Sequence, residues 1–471
     1  MKLIQYFHSA TGWLAIAIFL RLGSGVLLLP LILRYVPEDQ LGLWYVFLSL
    51  GNAAVIIDLG FSKTAIRSVA ALWAGAGQLT AQGVGLADKA VPNYGGVRDL
   101  LAAMRLLYFL MALVVAVYLI IADHFLIPWT AENDLTLNSP RFAWYVYAAG
   151  QVVTSYTRWQ VPVLAGIGKM RLSQQYVAVS TVIYLGTATF LLVIGYELLA
   201  IAIGQIVQIV LGRMLFAHAL KRFVPVSLTR ISLSTAFSIV STIWPNTWRH
   251  GCMILSGTLV ASTNTLIVAN QFGLEQASRF GLTQQLFGLV EQLAGILVAA
   301  KIADLTVLQV QGKVGAMRRM VLPRVSASWL LFSGGALVII LAVPYILHLI
   351  HSKTSLLTVD ALQLLAAERF FQFNQNQHVR LVVATNRIPF LGGYIVSMLL
   401  VPPLAWLGAS YAGIMGLIAA NLVVQWFYNN PTSTFYAANN LGFGVMEYYR
   451  AAIMSLAAKF GRLRPRATVV L

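Results

Sequence analysis

Acidic side chains are scarce in this chain: 15 Asp plus Glu stand against 32 Lys plus Arg among 471 residues. Charged residues of both signs reach only 10% of the total, well short of the roughly 25% found in soluble domains. That deficit excludes an ordinary water-soluble fold. Cysteine is nearly missing too. Cys252 is the single one, so neither an internal disulfide nor a cysteine metal cluster can form. No Gly-rich segment ends in Gly-Lys-Ser or Gly-Lys-Thr, which argues against nucleotide hydrolysis within the chain. No His/Glu group has metal-ligand spacing, and no Ser sits in a nucleophile elbow. The expectation is therefore no metal, no cofactor and no enzymatic site.

Apolar sequence is abundant instead, at 59% of residues with a mean hydropathy of +0.77. The net charge of +17 does not mark a nucleic-acid partner, because the bases fall in short gaps between apolar runs rather than on a soluble module. A bilayer span needs about 20 residues. Runs near 11–35, 41–66, 100–122, 141–165, 173–195 and 197–220 predict a first group of spans. Runs near 244–270, 276–302, 325–350, 359–384, 388–408 and 410–430 predict a second. The first run is too long for a signal-peptide core and is read as a retained span. The expected fold is an all-α integral membrane protein of about twelve transmembrane helices in two six-helix bundles around a central cationic cavity. Residues 1–222 would form the first bundle, 223–243 a linker with an interfacial helix, and 244–430 the second bundle. An interfacial helix and a basic tail would follow over 431–471. A faint trace of duplication links spans one and seven, which both run from a Trp through an Arg to a Ser-Gly pair (Trp13, Arg21, Ser24, Gly25; Trp248, Arg249, Ser256, Gly257).

Orientation follows from the bases between spans. Placing both ends in the cytoplasm gathers bases from Lys2, Lys63 and Arg67 through Lys221 and Arg222 to Arg462, Arg464 and Arg466 on that side. Arg34, Arg141 and Lys353 are then the only bases in the outer connections, which carry Glu38, Asp39, Asp123, Glu132, Asp134, Glu197 and Glu275. A miscounted span would reverse every later connection and destroy this asymmetry.

Within the apolar runs lie Arg21, Arg158, Arg249, Arg279, Lys301, Arg369 and Arg380, with only Asp58, Glu291 and Glu368 as acids. A cation at the bilayer centre costs about 2.5 to 3.5 kcal/mol even on the insertion scale, so these must face water or partners. An internal polar cavity suited to an anion follows. Helical spacing puts Arg369, Gln372, Asn376 and Arg380 on one face of span ten, beside Glu368, Gln375 and Gln377. Gln284, Gly288, Glu291 and Gly295 share a face of span eight; span twelve offers Asn421, Gln425 and Asn429. Structural readings stand beside these: interhelical hydrogen bonds for isolated amides, snorkelling for Arg213 and Lys301, and an ion pair for Glu368 with Arg369. His250 and His378 read as ordinary hydrogen-bonding residues.

The opening third carries a family likeness. The run Arg21-Leu-Gly-Ser-Gly-Val-Leu-Leu-Leu-Pro-Leu, then Glu38-Asp-Gln-Leu-Gly-Leu-Trp44, Ile57-Asp-Leu-Gly-Phe61 and Ala65-Ile-Arg-Ser-Val-Ala70 resembles the Wzx-type polysaccharide flippases. The later Ala384-Thr-Asn-Arg-Ile-Pro-Phe390 resembles that family's connection between spans ten and eleven. The family groups with peptidoglycan lipid flippases and multidrug extruders in the multidrug/oligosaccharidyl-lipid/polysaccharide exporter superfamily. The resemblance implies two bundles whose cavity opens alternately to either side of a bacterial inner membrane. It implies a polyprenyl-diphosphate-linked oligosaccharide as cargo, for O-antigen, capsule or exopolysaccharide synthesis, with membrane lipids, a polysaccharide polymerase and chain-length proteins as partners.

On this reading Arg21 and Arg249 grip the diphosphate, and Arg158, Arg279, Arg369 and Arg380 extend the positive field. Asn376 and Gln372 suit sugar hydroxyls. Glu291, Glu368 and Asp58 are candidates for proton or sodium coupling. Two alternatives stay open. A cation-coupled multidrug exporter would favour acids and aromatics for cationic cargo. A polysaccharide polymerase or ligase would need a larger outer loop than Asp123 to Pro140 provides.

Overall fold

A computed structural model describes residues 27–55, 61–76, 79–80, 83–84, 91–125, 140–224, 233–383 and 389–459, together with Trp13, Leu20 and Gly25. Some helical residues, Arg249 among them, are described by their backbone alone. The chain divides into two compact units. One comprises Met1–Ser262, Gly273–Ser278 and His351–Thr354; the other comprises Thr263–Phe272, Arg279–Ile350 and Ser355–Leu471.

In the first unit residues 27–35 are helical. Helix α1 (Glu38–Val55) opens with Glu38 and Asp39 in its first turn, where carboxylates oppose the positive end of the helix dipole. Helix α2 (Phe61–Trp73) is followed by a minimal antiparallel pair, β1 (Leu79–Thr80) and β2 (Gly83–Val84), with Leu79 opposite Val84. Then come α3 (Tyr94–Phe125), α4 (Pro140–Thr157), α5 (Gln160–Gly166), α6 (Met170–Ile194) and α7 (Glu197–Phe223). The fourth expected span is split between α4 and α5. Pro162 has no N–H to offer the carbonyl of Arg158, and the helix yields to a turn at Arg158 and Trp159. Gly195, in the left-handed region at φ 99°, closes α6.

Aromatic rings join α1 to α4. Phe47 and Trp144 have ring centroids 5.0 Å apart, Trp44 and Tyr147 5.4 Å. Gly51 makes the approach feasible, because any Cβ there would collide with the Tyr147 hydroxyl. A second core gathers Phe61, Ala65 and Val69 of α2, Leu101 and Met104 of α3, Trp159, Val163 of α5 and Phe216 of α7. The outer face of α3 leaves Leu110, Leu113, Val114, Val117 and Ile121 exposed. Such an apolar band suits hydrocarbon rather than water.

Helix α8 (Leu233–Ala299) holds two expected spans, separated by one break at Gly273 (φ 82°, ψ 174°), a conformation open essentially to glycine alone. The interfacial helix expected over Ile231 to Ile243 is not a separate element: α8 runs from Leu233 through Pro245 without interruption.

The second unit continues with α9 (Ile302–Val310), α10 (Val314–Leu341), α11 (Val343–Leu349), α12 (Val359–Val383) and α13 (Leu391–Val424). Helix α13 also spans two expected segments and breaks at Ala412 and Gly413. Gly408 and Gly416 lie across that corner, each so close that a Cβ on one would strike the carbonyl of the other. A π-helical turn (Gln425–Asn429) leads into α14 (Asn430–Asn440). Pro431 explains it, since the carbonyl of Phe427 receives no amide from that position and the ladder slips by one residue. Helix α15 (Val445–Lys459), expected on the membrane surface, packs one face on protein and leaves Met446, Ile453 and Met454 exposed. Its Tyr448 and Ala452 are buried with Val321 and Val325 of α10, and Ser326 Oγ donates to the Ala452 carbonyl at 2.8 Å.

Among the described residues six helices are long and apolar enough to cross a membrane. Two of these, Gly251–Gln309 and Leu391–Asn440, run to 59 and 50 residues. Each is too long for one span of about 20 residues and holds two expected spans on either side of its glycine break.

Candidate functional site

Helix α12 interleaves charged and amide side chains with apolar ones, and its turns sort those residues into two environments. The more deeply buried one is a hydrogen-bonded network around Asn374. Trp329 Nε1 of α10 donates to Asn374 Oδ1 at 2.8 Å. Asn374 Nδ2 donates to Asn430 Oδ1 at 2.9 Å and to the Tyr449 hydroxyl at 3.1 Å. Asn430 Nδ2 returns to the Phe371 carbonyl at 2.8 Å. His378 is held on both ring nitrogens, by the Tyr448 hydroxyl and by Thr434 Oγ1, each at 3.1 Å. Every polar group finds a partner, so this network binds α10, α12, α14 and α15 to one another.

The other environment is charged and incompletely satisfied. Glu368 is 4% exposed; its Oε2 pairs with Arg369 Nε at 3.1 Å. The geometry is too poor for a hydrogen bond, and neither atom finds one elsewhere. Arg369 Nη1 donates to Gln372 Oε1 at 2.7 Å. From α8, Glu291 feels the charges of Arg369, Glu368 and Arg380, and its Oε1 is buried without a hydrogen-bond partner. Arg380 Nη1 reaches the Gly295 carbonyl at 3.3 Å. It can do so because a Cβ at 295 would press on that guanidinium and on Gln377. Gln377 itself is fully buried with both amide atoms unpartnered among the described residues, and the half-buried Gln284, two turns before Glu291, has its Nε2 buried without a partner as well. Two carboxylates and two guanidiniums cancel formally, and the cluster retains vacant oxygen acceptors.

The expected residues are thus only partly brought together. Arg369, Arg380, Gln372, Glu291 and Glu368 form this cluster, with Asn376 half-buried one turn beyond Gln372. Their charges are balanced, so Arg369 and Arg380 do not make a free positive field. Arg279 is half-buried on α8, about 18 Å along the helix from Glu291. Arg158 is half-buried at the turn between α4 and α5, in the first unit. Lys301 pairs with Asp304 at 2.7 Å at an exposed helix boundary. Arg21 and Asp58 lie outside the described residues, as does the side chain of Arg249. Asn421, Gln425 and Asn429 are buried, and two of them serve packing: Asn264 Nδ2 donates to Asn421 Oδ1 at 3.0 Å and Ser397 Oγ to Asn429 Oδ1 at 2.9 Å. Sequence reasoning missed Trp329, Asn374, Asn430, Thr434 and Tyr449. Their one legible signal is the consecutive amides at Asn429 and Asn430 before Pro431. Among the described residues no group of three or more His, Cys, Asp or Glu could hold a metal ion.

No family model matches the sequence. No curated protein matches it either. Solved structures do. An inward-facing multidrug resistance MATE family transporter of the MOP superfamily is similar with a TM-score of 0.65 and 14% identity, over 97% of this chain and 100% of that one. A MATE structure in a bent conformation gives 0.55 and 13%, over 97% and 99%. An outward-facing MATE family transporter gives 0.55 and 13%, over 95% and 94%. The chain therefore has the fold of the MATE transporters: a multi-pass, all-helical membrane protein with 12 transmembrane helices in two bundles.

Proposed function

We propose that the chain is a membrane transporter that works by alternating access and couples cargo movement to a proton or sodium ion through the charge cluster of its second unit. The observation that carries this reading is the pair Glu291 and Glu368, each with a buried carboxylate oxygen lacking a hydrogen-bond partner, beside Arg369 and Arg380. Ionisable groups at membrane depth are costly and mark ion or substrate paths. A carboxylate that loses its guanidinium neighbour gains affinity for a cation, so ion occupancy and helix arrangement become linked. The fold supports the same reading, since similar structures are named as transporters in inward-facing and outward-facing conformations.

For the cargo, a small organic molecule has the support of those structures, two of which are named as multidrug resistance transporters. A second reading, a polyprenyl-diphosphate-linked oligosaccharide, rests on the resemblance of the Arg21 and Glu38 segments and on uncompensated cations. Among the described residues Arg105, Arg158 and Arg213 of the first unit have no carboxylate partner. They would repel a cationic drug and attract a diphosphate, with Arg21, Arg249 and Arg279 as further contacts.

Proteoliposomes decide between the two. The purified chain would be offered a fluorescent cationic dye and, separately, a labelled lipid-linked oligosaccharide, with proton or sodium gradients imposed. Gradient-driven movement of one cargo names it. Glu291→Gln and Glu368→Gln should each lower that movement roughly tenfold or more with normal membrane insertion. Transport unchanged after both gradients collapse would remove the coupling role.

A further inference from the structure

A cavity of about 360 Å³ opens in the first unit, far in sequence from the charge cluster of the second. Its wall combines Arg105 of α3, Arg213 and Lys221 of α7, and Tyr156, Trp159 and Gln160 at the break between α4 and α5; Leu101, Leu220 and Val224 line much of the rest. No acid lines it. Among the described residues none of the three cations is paired with a carboxylate, and Arg213 instead lies over the Tyr156 ring, 5.1 Å from its centroid. Trp159 is 5% exposed, and its indole N–H has no acceptor among the described residues.

Three uncompensated cations around one hollow call for an anion, and guanidiniums favour phosphate. The rest of the wall is apolar. The outer face of α3 continues from the cavity through Phe109, Leu110, Leu113 and Val114, all exposed. Phe109 also meets Tyr156, ring edge to face, at 6.3 Å. A free phosphate would use only the cations, whereas a lipid would use both surfaces. Depth agrees with this. Arg213 lies two turns, about 12 Å, along α7 from Lys221, and the base distribution assigns that end of α7 to the cytoplasmic side, where basic pockets between helices hold anionic headgroups.

We propose that this cavity binds the phosphate of an anionic glycerophospholipid from the surrounding bilayer, with Arg105, Arg213 and Lys221 as its charge partners and acyl chains along α3. The site differs in ligand and location from the ion-coupling cluster, and it shares Arg105 and Arg213 with the diphosphate-cargo reading, from which a bound phosphatidylglycerol, carrying no oligosaccharide, distinguishes it.

The experiment is native mass spectrometry of the full chain in detergent, titrated in separate arms with phosphatidylglycerol, phosphatidylcholine and inorganic phosphate. Wild type should retain one phosphatidylglycerol roughly tenfold or more tightly than the Arg105→Gln/Arg213→Gln variant, with phosphatidylcholine retained weakly by both. The Glu291→Gln variant should bind like wild type. Should the double variant fail to fold, Lys221→Gln alone replaces it and should weaken retention several-fold. Equal retention by wild type and variants would overturn the site. Displacement of phosphatidylglycerol by millimolar inorganic phosphate would overturn the lipid assignment in favour of an aqueous anion.

Discussion

At the scale of single residues, neighbouring polar side chains on α12 do opposite work, and substitution should separate them. Asn374→Leu strips partners from Trp329, Asn430 and Tyr449 together. Each buried group left unsatisfied costs about 1 to 3 kcal/mol, so thermal unfolding in detergent should show a large drop in Tm. Asn376→Leu, at a half-buried position among the described contacts of α12, should leave Tm close to wild type, within about 0.5 kcal/mol of stability. The density of amides on this helix was legible in the sequence, and so was the membership of Glu368, Arg369, Gln372 and Arg380 in one group. What could not be read was the sorting. Gln372 and Asn374 are two residues apart, and only tertiary partners on α10, α14 and α15 decide which one is locked. The charge balance was hidden for the same reason: Glu291 comes from another helix, and spacing along one chain says nothing about charge across two.

At the scale of elements, glycine and proline positions set the corners. Gly408 and Gly416 bring two backbone stretches together at the α13 break. Gly416→Ala should therefore destabilise the chain by about 1 to 3 kcal/mol, read as a loss of monodisperse protein on size-exclusion chromatography. Gly186→Ala is the control, because a Cβ there meets nothing within 4 Å and gains helix propensity. Hydropathy located most of the apolar runs, since the length of a span is fixed by bilayer thickness. It failed where the helix outlasts the apolar run. Residues 431–440 are too polar to be read as membrane, yet the helix continues because Ser433, Thr434 and Asn430 are buried against α12. The protein contacts of α15 were not legible for a related reason: an amphipathic pattern does not reveal which of its apolar residues meet protein. Arg318 donates to the carbonyls of Leu441 and Gly442 at 2.7 and 2.8 Å and so caps α14 at its negative end, a role that its place among the bases between spans does not reveal.

At the scale of the whole molecule, the exposed apolar faces state where hydrocarbon lies. Val114, exposed on α3, is such a position. Val114→Arg would carry a cost of about 2.5 to 3.5 kcal/mol if that face is in the bilayer, and carbonate extraction of membranes should show a reduced integrated fraction. An unchanged fraction would place α3 elsewhere. The two compact units also bear on how this protein can be taken apart. The first unit claims residues as late as His351–Thr354: the Lys353 amide donates to the Leu33 carbonyl at 2.8 Å and Lys353 Nζ to the Tyr35 carbonyl at 2.9 Å. A gene divided after residue 222 would consequently encode two fragments, and the first would lack this clasp. Expressed singly, that fragment should be degraded; expressed beside its complement, it should be rescued, so split-gene complementation becomes an assay for residues 351–354 acting as a latch on residues 33–35.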